Sequence, residues 1–142
     1  MSLIPADKPL EKELLPLFTQ SISFQMPATW KDFLVKVIPW LLVLMIPIYI
    51  LSIGLNTIGS LFSAFSAHLL ASIAMLFVCL GLICNLLSLS GMFKRQRQGW
   101  VYNYYAFLFS LAADLFYLQF IEAILSFLFF GYLLFQIRSY YK

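Results

Sequence analysis

The chain has 142 residues, of which 63% are apolar and only 11% charged, with a mean hydropathy of +0.92. Soluble domains are about 45–50% apolar and about 25% charged, so this composition excludes a water-soluble globule, which needs far more polar surface. A net charge of +3, spread in small groups beside apolar stretches, excludes nucleic-acid binding and instead marks membrane boundaries.

Residues 1–29 are the most polar part of the chain. Asp7 and Pro9 suit a helix start. Leu10, Leu14, Leu17 and Phe18 then recur at the spacing of one apolar stripe. Lys8, Glu11, Lys12 and Glu13 supply the polar side, and Pro16 limits or kinks the helix. This segment reads as an amphipathic interfacial helix, capping its own chain or docking on a partner. It lacks the short uninterrupted apolar core of a secretory signal, so insertion is expected through the chain's own helices.

Residues 30–142 form the second unit. Thr29 followed by Asp32 resembles a capping box with Asp in place of Glu, and a first span is expected at 33–53. About 20 residues at about 1.5 Å each cross a hydrocarbon core of about 30 Å. Trp30 and Trp40 lie near its start, and Pro39 and Pro47 lie inside it as expected kinks. No acid, Lys or Arg occurs from Val37 to Phe93, far too long for one crossing. Asn56, Gly59 and Ser60 supply the break, with a short connection near 55–66 and a second span at 68–92. Ser63, Ala67 and Ala71 make a small-residue stripe suited to close packing. Cys79 and Cys84 lie on different faces of the second span and read as inert thiols. Asn85 and Ser88 give its end some polarity.

The run from Gly91 to Trp100 holds Lys94, Arg95 and Arg97 and reads as a loop, with Gly91 ending one helix and Gly99 turning the chain. A third span is expected at 100–117, a tight turn around Gln119, and a fourth span at 122–137, before Arg138 and Lys142. With four spans, Lys31 and Lys36, the 94–97 cluster and Arg138 with Lys142 all fall on one side. The positive-inside rule then puts both termini in the cytoplasm, with Lys94, Arg95, Arg97, Trp100 and Arg138 as topology anchors. The fold class is therefore all-α, an integral membrane four-helix bundle with an N-terminal amphipathic segment.

The hairpin from Gly91 to Trp100 and the ending Tyr132-Leu-Leu-Phe-Gln-Ile-Arg-Ser-Tyr-Tyr-Lys142 resemble a class of small bacterial four-span membrane proteins of unknown function. In those, a glycine–basic–glycine–tryptophan hairpin precedes two apolar spans. The resemblance covers roughly the last fifty residues. It implies a bacterial inner-membrane setting and no particular activity.

Asp114 is the leading candidate for chemistry. It lies about 21 Å along the third span from Trp100, and a carboxylate at depth suggests a proton or cation site or an interhelical lock. Glu122 stands across the short turn, either pairing with Asp114 or serving as an exposed acid at a helix N-terminus. Ala106, Ser110 and Asp114 recur at i+4 and make a small, polar stripe. His68 is the sole histidine, which rules out two-histidine haem ligation within one chain. It reads as an interfacial residue that might share a layer with the two acids. Tyr102, Tyr104, Tyr105, Tyr140 and Tyr141 form an aromatic belt. No catalytic, cofactor or metal motif is present. The chain reads as a non-enzymatic protein acting by association in the bilayer, as an accessory subunit of other membrane chains or a homo-oligomer. The alternative is a small oligomeric proton-coupled transporter using Asp114. It resembles the four-span multidrug transporters in size but carries its acid in a different span.

Overall fold

A computed structural model describes residues 8–21, 25–63 and 69–142, with side chains described for 8–19, 25–54 and 70–142. All regular structure among these residues is helical. A short helix α1 (Glu11–Pro16) runs into a π-helical turn, Leu17–Ser21. Four longer helices follow: α2 (Ala28–Ser63), α3 (Leu69–Phe93), α4 (Arg97–Phe116) and α5 (Phe120–Ile137). A 3-10 turn, Arg138–Tyr140, ends the regular structure.

Three helices are long and apolar enough to cross a membrane, over Ala28–Gly54, Leu70–Phe93 and Phe120–Tyr140. They make the chain a membrane protein. Their outer faces are continuous apolar bands. Leu44, Leu51, Leu76, Ile121, Leu125 and Phe129 are each more than half exposed, an arrangement that water would penalise and lipid does not. The fourth expected span, α4, does not join this set. Tyr102, Asn103, Tyr104, Tyr105 and Asp114 lower its apolarity, and Tyr104 is turned fully inward.

Helices α3 and α4 form the most extensive packing in the molecule, and glycine explains it. A Cβ on Gly91 would sit 2.6 Å from the Cα and N of Gly99, and a Cβ on Gly99 would meet the Gly91 backbone as closely. Farther along, Gly81 lies against the Ala106 carbonyl, where a Cβ would sit 3.6 Å away. Small residues at a crossing let two backbones touch. This corrects the expectation that Gly91 and Gly99 bound a loop: both lie within helices. The turn is Lys94-Arg95-Gln96, and Arg95 takes the left-handed conformation at φ 54°. The α4–α5 turn uses Leu118 in the same way, at φ 61°, with Gln119 as the residue before α5.

The expected break near 55–66 is also displaced. Helix α2 continues through Asn56, Gly59 and Ser60 to Ser63, about 54 Å in all. Glycine is common inside membrane helices, where the backbone bonds internally for want of water. His68 and Ala67 lie outside the described residues, as does the side chain of Ser63. The start of α2 is Ala28, so Thr29 is already helical, and Pro27 takes the first bonds, from the Trp30 and Lys31 amides. Both expected prolines sit within α2; Pro39 is buried and Pro47 exposed.

The chain ends are tied together. The Arg97 amide donates to the Lys142 carbonyl at 2.7 Å, and the Lys142 amide donates to the Arg95 carbonyl at 3.2 Å. The end of α5 therefore lies beside the α3–α4 turn. Trp40 meets Phe93 edge-on at 5.4 Å, and the Tyr140 hydroxyl reaches the Ala28 carbonyl at 3.5 Å. The start of α2 thus shares this end with the cations of 94–97 and 138–142.

Candidate functional site

The most developed polar cluster lies at this basic end and centres on Glu11, whose side chain is completely buried. Glu11 Oε1 accepts from Arg97 Nη2 at 2.5 Å and from Arg138 Nε at 2.7 Å. Its other oxygen accepts from the Lys8 amide at 3.1 Å. Burial alone would push this carboxyl up. The two guanidiniums and the amide outweigh it and hold the pKa below the ordinary 4.5.

Trp100 is the floor of the cluster. The Arg97 guanidinium carbon stands 4.3 Å from the ring centroid and that of Arg138 5.8 Å, the range of cation–π attraction. The indole N–H donates to the Leu134 carbonyl at 2.9 Å. One face of the indole stacks on Tyr104 at 5.4 Å, and Phe135 meets it edge-on. The Tyr104 hydroxyl donates to the Pro9 carbonyl at 2.6 Å. Each element contributes: α1 brings the acid, α4 brings Arg97, Trp100 and Tyr104, and the end of α5 brings Leu134, Phe135 and Arg138.

Phe18 completes the docking of the N-terminal segment. It is fully buried, stacked on Phe135 at 5.4 Å and tilted against Phe127 at 5.2 Å. It fills the notch left by Gly131, where a Cβ would come within 2.6 Å of the ring. Gln136, also buried, donates to Gln25 at 3.0 Å. Tyr141 is buried as well, and its hydroxyl is pushed up to about 12 by that burial.

Sequence reasoning placed these residues in separate roles. Arg97, Arg138 and Trp100 were expected as independent topology anchors, and Glu11 on the polar side of its helix. Leu10 was expected in the apolar stripe, yet it is 57% exposed, with φ 59° just before α1. The face that packs inward is Glu11, Leu14, Leu15 and Phe18. These residues have the i, i+3, i+4, i+7 spacing of one helical face, a signal masked by the presence of an acid in it. Lys94 and Arg95 remain exposed, as anchors should be.

The expected site at the opposite end is not drawn together. Asp114 is partly buried, Ser110 and Glu122 are exposed, and His68 lies outside the described residues. Glu122 sits in the first turn of α5, the simpler of its two expected positions. The groove beside them, lined by Leu111, Leu115, Phe120, Ala123 and Ile124, is apolar. Among the described residues no group of three potential metal-ligating side chains occurs. Cys79 and Cys84 are free and partly buried. No protein-family model, curated protein or solved structure matches the chain.

Proposed function

We propose that this chain is a non-enzymatic membrane protein of four spans that acts by association, as an accessory subunit or as a self-assembling unit. The reading of α4 as the fourth span draws support from its place between α3 and α5. Both neighbours are long and apolar enough to cross, and α4 runs back along α3 between two short turns. The positive-inside rule then gives a bacterial inner membrane with both termini cytoplasmic. A periplasm-active reporter fused after Lys142 is expected to be silent and one inserted after Gly59 active; the reverse result refutes four spans.

The observation that carries association is the contrast between the two prolines of α2. Each lacks the N–H that would bond the carbonyl four residues earlier. In a membrane, neighbouring helices must satisfy such a carbonyl. Pro39 is buried against its own chain. Pro47 is exposed, as are Val43, Leu44, Met45, Ile48 and Leu51 around it. A neighbouring chain on this stretch supplies what this chain's own helices do not. Purification in mild detergent followed by mass analysis is expected to return a stable complex, with a foreign subunit or with further copies. A monomer that also dissipates a pH gradient in liposomes refutes association and restores transport through Asp114.

A further inference from the structure

We propose that Arg97 and Arg138, braced on Trp100, form a binding pocket for a phosphate oxyanion, and that Glu11 occupies it as a tethered stand-in. Three observations on the cluster lead there. The first is charge: two guanidiniums converge on one carboxylate, leaving an excess positive charge in a site where Glu11 is fully buried and Arg138 nearly so. Glu13, the other acid of α1, is exposed and does not offset it. The second is geometry. Both arginines bond the same oxygen, Oε1, while Oε2 takes only the Lys8 amide. Arg97 Nη1 is buried and has no hydrogen-bond partner among the described residues. A planar carboxylate presents two oxygens and cannot serve both forks fully. A tetrahedral phosphate presents three or four and matches paired guanidiniums.

The third observation is that the arginines do not depend on Glu11 for their positions. The Trp100 ring holds both, and is itself fixed by the Leu134 carbonyl and by Tyr104 and Phe135. The pocket would therefore persist if Glu11 withdrew. The phosphate has two possible sources, a lipid headgroup and the solution. The pocket opens at the end where Lys94 and Arg95 are exposed, the level at which anionic headgroups attract cations. Binding would displace Glu11 and release the segment that carries Phe18.

The test uses the full chain in nanodiscs of phosphatidylcholine, with either phosphatidic acid added to the bilayer or inorganic phosphate added to the buffer. Glu11→Gln removes a competitor whose tether gives it an effective concentration of about millimolar order. It is expected to bind one of the two probes at least about tenfold more tightly than the wild type, and adding Arg97→Gln should abolish the gain. Tightening by phosphatidic acid alone identifies a headgroup; tightening by inorganic phosphate identifies a soluble ligand; both support the pocket. The lipid arm rests on the four-span reading, whereas the inorganic arm does not, so the two fail separately. No tightening by either probe overturns the proposal. So does a gain that survives Arg97→Gln but disappears on neutralising the exposed Lys94 and Arg95. If Glu11→Gln does not fold, amide exchange of residues 8–19 in the wild type decides instead. It should rise with phosphatidic acid or with phosphate, and no change at saturation of both overturns the pocket.

Discussion

At the basic end, an acid, two arginines, a tryptophan and two tyrosines from three distant stretches of chain close on one another, and a phenylalanine plugs the gap below them. At the opposite end, Asp114 and Glu122 stand near a turn of five residues, one half-buried and one exposed, beside an apolar groove. Both ends contain carboxylates, yet only one contains cations. The difference follows from the membrane. Basic residues collect on one face by the insertion rule, so only there can a buried acid find partners. An acid on the other side must stay near water or be held by neutral groups.

Removing Glu11 should produce the largest effect, because it leaves two arginines buried around nothing. Breaking a buried pair by deleting one partner costs about 3–5 kcal/mol. Glu11→Ala should lower the thermal midpoint in detergent and raise amide exchange across residues 8–19. Glu122→Ala should move the midpoint by no more than about 0.5 kcal/mol. Equal losses at the two ends would break the comparison. The pairing also fixes a pH dependence. The Glu11 pKa is lower in the folded chain than the ordinary 4.5. Its stabilisation is therefore complete above that pH and is lost as the pH falls through the lowered value. Exchange of residues 8–19 should rise below pH 4.5 in the wild type, while Glu11→Gln should show no such step.

A second effect, of intermediate size, separates the packed hairpin from the lipid-facing helix. Gly99→Ala puts a methyl group into the Gly91 backbone, which no rotamer change relieves. Overpacking of this kind costs about 1–3 kcal/mol. Gly54→Ala adds the same methyl where nothing lies within 4 Å and should be near neutral. Thermal midpoints of the two variants against the wild type measure the difference. If both are silent, the α3–α4 contact is looser than its glycines imply.

These sites differ in how far the sequence discloses them. The three apolar spans follow from composition and length alone, and α3 and α5 begin and end within about two residues of expectation. The glycines were legible as glycines but assigned to the wrong task. A Gly–basic–Gly run reads as a loop when considered locally, and only the facing helix reveals that Gly91 and Gly99 touch. The continuation of α2 past Asn56 and Gly59 was missed because turn signals learned from water lose force where a free backbone group costs more. The Glu11 cluster was the least visible. Its hydrogen bonds connect residues separated by 86 and 127 positions, and no local pattern encodes that. The local hint was present: an acid in register with Leu14, Leu15 and Phe18 argues that its partner is buried too.

The smallest expected effect is at Asp114, and it tests the comparison from the other side. Its backbone carbonyl accepts the Gln119 amide at 2.9 Å, so the α4–α5 turn does not need the side chain's charge. If the carboxyl serves only as a polar group near an end of the membrane, Asn supplies the same shape and similar hydrogen bonds. Asp114→Asn should then leave the thermal midpoint within about 0.5 kcal/mol of the wild type. Asp114→Leu should cost about 1 kcal/mol, the scale of one interhelical hydrogen bond in lipid. The Asn variant should also assemble as the wild type does. A proton carrier behaves otherwise, because Asn cannot release a proton. A wild type that dissipates a pH gradient in liposomes, beside an Asp114→Asn protein that melts normally and does not, would move the functional centre from the arginine end to this one.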